Sequence, residues 1–246
     1  MKRDTWKITL GIVLIILSAI VYFIHFLIFR DLRYILNFVI IDIAFVFINV
    51  LIVTFVIDSL LSMRKKKEKL EKLNMLIGVF FSEIGTKLLV HFSDSDPNLD
   101  QIKNDLIVRD SWSDKEFMNI SKKLRNYKYD ITIDKIDFLN IQSFLIDKND
   151  VLVRLLENPN LFEHESFTEL LQAVFHLDEE LRTRKNVKIL SEKDMQHIMS
   201  DIKRAYTLLV YEWVDYMIYL KHNYPYLFSL AMRLNPFDET ATPEIK

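Results

Sequence analysis

Two long apolar runs separated by a very short break dominate what this chain can fold into. Residues 8–29, ITLGIVLIILSAIVYFIHFLIF, carry no formally charged side chain and exceed the roughly 20 residues a helix needs to cross the hydrocarbon core of a bilayer. Residues 34–57, YILNFVIIDIAFVFINVLIVTFVI, form a second run in which Asp42 and Asn49 interrupt the apolar character. Between them stands RDLR, and so short a linker forces an antiparallel hairpin with both ends on one side. The first run is too long for a signal peptide and is not closed by a small-residue cleavage site. The expectation is a transmembrane hairpin over residues 1–63, with spans at about 8–29 and 34–57.

Charge orients the hairpin. Lys2, Arg3 and Lys7 precede the first span, and RKKKEKLEK at 64–72 follows the second with six basic and two acidic residues; only Arg30 and Arg33 lie between the spans. The positive-inside bias places both termini in the cytoplasm, in a cytoplasmic (inner) membrane whose lipid bilayer is the first partner. Within the hairpin Tyr22 and His25 share an arc of the first helix, and Asp42 and Asn49 share an arc of the second. Folding at the tight turn brings Asp42 to the depth of Tyr22. This set reads either as a proton or ion relay or, with more weight, as polar glue within the hairpin or between copies of it.

Composition removes several function classes. Three glycines and five prolines in 246 residues leave little turn chemistry for a many-stranded fold and no phosphate-cradling loop. Cysteine is absent, which removes disulfides, thiolate catalysis and thiolate metal ligands. Residues 73–246 hold 21 basic and 28 acidic side chains; an acidic body repels a phosphate backbone, so no nucleic acid is expected as a partner.

Residues 64–92 read as the basic collar followed by an amphipathic helix, KLNMLIGVFFSEIGTKLL, with Leu70, Leu73, Ile77, Phe80, Ile84 and Leu88 recurring at threes and fours. Two of the three glycines lie in it, each costing about 1 kcal/mol relative to alanine. Asn74, Gly78, Ser82 and Gly85 make a narrow stripe beside the apolar one. The favoured reading is close approach of a neighbouring backbone; the sharper one is a ligand or partner groove formed by Asn74, Gly78, Ser82, Glu83 and Gly85.

From 93 to 246 the chain reads as successive helices, giving an all-α fold: the membrane hairpin followed by a cytoplasmic helical bundle. SDSDPN at 93–98 is the first break. Ser113 with Glu116 and Ser166 with Glu169 match capping boxes, and Thr132 and Ser191 are caps of the same kind, so helices start near 114, 133, 167 and 192. The helix from about 192 to 222 is expected to be the longest.

One side-chain constellation could carry chemistry. On one predicted helix Glu169 precedes His176 by seven and Glu179 and Glu180 follow it by three and four, and on the next Asp194, His197 and Asp201 are spaced three and four apart, so two imidazoles and several carboxylates, Glu180 and Asp201 foremost, can face each other. The set suits a divalent transition metal such as Zn, Mn or non-haem Fe. HExxH and paired ExxH motifs are missing, and ion pairs among helices account for the same residues; no cofactor is therefore required. No catalytic residue is identified, since Ser82 sits inside a helix rather than on a nucleophile elbow.

KLNMLIGVFFSEIGTKLL, AVFHLDEEL and YPYLFSLAMRLNPF (224–237) resemble a group of uncharacterised prokaryotic membrane proteins with two N-terminal transmembrane helices and a helical cytoplasmic domain. The resemblance implies architecture without mechanism, and singles out Asn74, Gly78, Ser82, Glu83, Gly85, His176, Glu180, Pro225, Arg233, Asn235 and Pro236 for testing. The leading expectation is a non-enzymatic membrane-anchored protein that binds a partner, assembles as a homo-oligomer or relays a signal. The alternative is a membrane-anchored metal-dependent enzyme.

Overall fold

The computed structural model describes residues 2–161, 164–187 and 189–244, without the side chains of 2–5, 7, 8 and 32. The charges of Lys2, Arg3 and Lys7 used to orient the hairpin thus lie outside the described side chains. Among the described residues there are helices and turns and no strand, so the chain is all-α. It divides into two compact units, Met1–Lys65 and Lys66–Lys246.

The first unit is an antiparallel helical hairpin. Helix α1 (Lys2–Phe29) and helix α2 (Leu32–Phe80) are joined by Arg30 and Asp31 alone, fewer than the four linker residues the sequence suggests. Arg30 turns the chain by adopting φ 49°, the left-handed region. Asp31 caps α2, its Oδ1 accepting from the backbone N–H groups of Arg33 at 3.0 Å and Tyr34 at 3.2 Å. Both helices contain segments long and apolar enough to cross a membrane, from Thr9 to Phe29 and from Arg33 onward. Over residues 9–29 and 34–57 most of their apolar side chains point outward, Ile15 at 71% and Phe47 at 73% exposure.

Helix α2 corrects one expectation. The second apolar run, the collar and the first half of the glycine helix, expected as separate segments, are a single 49-residue helix, while Glu192–Asn223, at 32 residues, is the longest helix after residue 93, as expected. The collar contains only good helix formers and no glycine or proline to interrupt it, and Lys67 pairs with Glu71 one turn on at 4.0 Å. The helix then passes through one π-helical turn, Phe81–Gly85, before continuing as α3 (Thr86–Ser93). One extra residue in that turn shifts the inward face, so Phe80 and Phe81 are both buried, as are Leu88 and Leu89. The apolar stripe holds from Leu73 to Leu88, while Leu70 remains 41% exposed.

The second unit closes around one long helix. After short α4 (Lys103–Leu106) come α5 (Asp114–Asn126), α6 (Phe138–Leu156), α7 (Glu165–Thr183), α8 (Glu192–Asn223) and α9 (Pro225–Arg233). Helix α8 packs against α3, α5, α7 and α9, and α6 packs on α7. It buries Ile198, Ile202, Ala205, Tyr206, Leu209, Val210, Trp213, Val214, Met217 and Leu220. Leu73, Ile77, Phe80 and Ile84 join this same core.

The caps divide into two groups. Ser113 and Glu116 form the expected box, with Glu116 Oε2 accepting from the Ser113 N–H at 2.6 Å and Ser113 Oγ from the Glu116 N–H at 3.4 Å. Ser191 Oγ likewise accepts from the Asp194 N–H at 3.2 Å. Ser166 and Glu169 do not form a box: α7 starts earlier, with His164 Nδ1 accepting from the Phe167 N–H at 3.2 Å. Thr132 caps nothing by its side chain. A single 3-10 turn follows it, and α6 begins at Phe138 with Asp137 as its cap.

Candidate metal centre

Helices α7 and α8 form an antiparallel pair whose outer edge carries a ladder of charged contacts. Arg184 meets Asp194, Glu180 meets His197, and His176 meets Asp201. Each step back along α7 is matched by a step forward along α8, so the two i, i+4 pairs read from the sequence are brought to one place. His197 Nε2 lies 3.4 Å and His176 Nε2 3.5 Å from the same oxygen, Asp201 Oδ2. Glu180 stands on the other side, Oε2 3.6 Å from His197 Nε2 and Oε1 3.9 Å from His176 Nε2. The ligand atoms of His176, Glu180 and His197 all lie within 4.8 Å of one another. The imidazole rings stand nearly perpendicular, at 81°.

These separations lie beyond the usual range of about 2.7–3.2 Å for a hydrogen bond between nitrogen and oxygen. Asp201 Oδ2 is completely buried and has no hydrogen-bond partner, while the Asp201 side chain as a whole is only 10% exposed. The two imidazoles are 41% and 50% exposed, leaving a path from solvent. Arg184 donates to Glu180 Oε2 and, at 3.2 Å, to Asp194 Oδ1; the guanidinium holds the Glu180 carboxyl below the usual range. On α6, Gln142 Nε2 donates to the carbonyls of Leu181 at 2.6 Å and Arg184 at 3.2 Å, tying down the end of α7 beneath the cluster.

The other sequence-selected residues lie elsewhere. Asn74 Nδ2 donates to the Leu70 carbonyl at 2.8 Å, and Ser82 Oγ to the Val79 carbonyl at 3.0 Å, both within their own helix. Glu83 pairs with Lys148 of α6 at 3.0 Å. A Cβ at Gly78 would stand 3.0 Å from the Tyr216 hydroxyl, and one at Gly85 would stand 2.7 Å from the Phe81 ring and 2.8 Å from the Phe80 ring. The closest approach at both glycines is therefore by side chains, not by the neighbouring backbone that the stripe suggested. At Gly85 the occupying rings belong to the same helix, because the π turn folds Phe80 and Phe81 over it. In the hairpin, Tyr22 Oη donates to Asp42 Oδ2 at 3.2 Å. His25 instead stacks on Tyr34 with ring centroids 5.8 Å apart, and Asn49 sits nearly two turns beyond Asp42.

Among the buried polar groups that escaped the sequence reading are Asp96 and Glu212. Asp96 is buried and accepts from the Tyr127 hydroxyl at 2.9 Å, beside the buried and unpartnered hydroxyls of Tyr129 and Tyr206; burial pushes all three phenols up. Glu212 is 2% exposed in the middle of α8. The clustered residues come from distant parts of the chain, so no local spacing announces them.

Comparison with known proteins adds a family. Residues 69–233 match the C-terminal helical domain of Uncharacterized protein MJ1433, and residues 2–61 match the MJ1433 N-terminal helical domain. The chain belongs to the MJ1433 family. Uncharacterized protein MJ1433 of Methanocaldococcus jannaschii is 45% identical over 238 residues, which cover 97% of this chain and 96% of that relative. No solved structure matches the chain. Both MJ1433 domains are described as helical, in keeping with the fold, and the junction between the two matched segments falls inside α2. The whole α7–α8 cluster lies in the segment matched by the C-terminal domain.

Proposed function

We propose that the protein is a membrane-anchored helical module: the α1–α2 hairpin spans the cytoplasmic membrane with both termini inside, and the Lys66–Lys246 unit relays a signal or binds a partner at the inner face. The observation that carries this reading is the continuity of α2. Over residues 34–57 it offers lipid-compatible side chains, Phe47 at 73% and Phe55 at 67% exposure, an apolar surface far larger than soluble monomers expose. From Leu73 the same helix enters the core of the second unit with Leu73 and Phe80 fully buried. The basic collar between these parts suits an anionic headgroup layer.

Topology is testable because the chain has no cysteine of its own. Asp31→Cys is expected to react with a membrane-impermeant maleimide in sealed cells, whereas Lys67→Cys and Glu239→Cys react only after lysis. Labelling of Lys67→Cys from outside reverses the topology, and equal labelling of all three in a membrane-free extract removes the anchor. The relay or partner function is tested by chemical crosslinking in intact membranes. It predicts a discrete adduct above the 29.4 kDa monomer; recovery of monomer alone counts against both a partner and self-association.

A further inference from the structure

We propose that His176, Glu180, His197 and Asp201 form a zinc-binding site between α7 and α8, with both imidazoles coordinating through Nε2 and Asp201 through Oδ2.

Geometry supports this directly. A tetrahedral zinc ion with ligands at about 2.0–2.1 Å places neighbouring ligand atoms about 3.3 Å apart. From the two Nε2 atoms the distances are 3.4 and 3.5 Å to Asp201 Oδ2, with 3.6 Å from His197 to Glu180 Oε2 and 3.9 Å from His176 to Glu180 Oε1, one Glu180 oxygen facing each imidazole. Those distances suit atoms that share an ion and are long for atoms that share a proton.

The buried oxygen of Asp201 supplies the independent observation. A carboxylate oxygen buried without a hydrogen bond costs several kcal/mol unless something positive faces it. Arg204 approaches the other oxygen, Oδ1, at 3.9 Å, and Oδ2 faces the Nε2 atoms of His197 and His176 at 3.4 and 3.5 Å. A cation at the centre of the four groups satisfies this oxygen and both imidazoles together.

The donor set selects the metal. Two nitrogens with two carboxylate oxygens suit zinc ahead of magnesium or calcium, which favour all-oxygen shells, and zinc stands above manganese and ferrous iron in intrinsic affinity. Around this shell, Arg184 orients Glu180 through a charge-assisted hydrogen bond, the outer-shell support metal carboxylates commonly receive.

Tag-free, full-length protein in detergent, stripped with a chelator, provides the test. Zn2+ is titrated against a competing indicator, and Co2+ serves as a spectroscopic substitute. The expected result is one tightly bound Zn2+ per chain and the intense visible absorption of tetrahedral Co2+. Asp201→Asn should weaken Zn2+ at least about tenfold, and His176→Ala/His197→Ala should abolish stoichiometric binding while far-UV circular dichroism keeps its helical signal. If the double variant fails to fold, His197→Gln decides, because that ring is half exposed and its loss removes a ligand without opening the core. Sub-stoichiometric Zn2+ in the parent, octahedral Co2+ spectra, or unchanged affinity in Asp201→Asn and His197→Gln would overturn the site.

Discussion

At the scale of single residues, the two glycines of the π-turn region serve different neighbours. Gly78 leaves room for the Tyr216 hydroxyl, and Gly85 for the rings of Phe80 and Phe81. Those rings cannot move aside easily, since Phe80 stands edge-on to Phe167 and Phe81 stacks on Tyr216. Gly85→Ala is therefore expected to lower the thermal midpoint, its overpacking cost of about 1–3 kcal/mol exceeding the gain of about 1 kcal/mol in helix propensity. Gly11→Ala, where nothing lies within 4 Å, should cause no such loss in the same melting experiment. Glu212 gives a pH-dependent counterpart. Burial holds its carboxyl above the usual range. The native state then binds this proton more tightly than the unfolded chain, so the group favours folding most at low pH and less as pH rises through its raised pKa. Glu212→Gln should be more stable than the parent by about 1 kcal/mol near pH 8, and the difference should close toward about pH 4 in urea unfolding curves.

At the scale of elements, helix starts were legible where a side-chain oxygen has no competitor. Ser113 and Ser191 cap as their spacing predicts because each precedes an acidic first turn and stands in an extended conformation. Ser166 fails as a cap because α7 begins two residues earlier than the box implies, with His164 at the cap accepting from the Phe167 N–H and Ser166 inside the first turn; a histidine cap has no sequence signature comparable to the serine box. Ser191→Ala is expected to cost about 0.5–2 kcal/mol, whereas Glu169→Ala, which removes no capping contact, should stay within about 0.5 kcal/mol in the same unfolding assay. The α7–α8 cluster was legible as two i, i+4 pairs, since spacing alone aligns His176 with Glu180 and His197 with Asp201. That the two pairs could face each other was legible too; which atoms meet was not, because that depends on the register of α7 against α8. The π turn was invisible for a related reason: periodicity at threes and fours tolerates one inserted residue, and Phe80–Phe81 satisfies the stripe in either register.

At the scale of the whole molecule, the all-α class and the apolar hairpin followed from composition and run length, which no local competition can disguise. The continuity from Leu32 to Phe80 was harder to read, because charge and hydropathy change abruptly near residue 64 while helix propensity does not. A composition boundary looks like a structural boundary only if the chain also breaks there, and RKKKEKLEK gives it no reason to break. Buried Asp96 and its tyrosines illustrate the opposite case, in which residues from α8 and from the irregular segments after α3 and α5 meet only once the bundle closes. The Phe81–Gly85 turn has a geometric consequence. Its one additional residue offsets the side chains on either side by about 100° from where an unbroken α-helix would place them. Without that offset Phe80 and Phe81 could not both face inward, and the space kept open at Gly85 would have no ring to fill it.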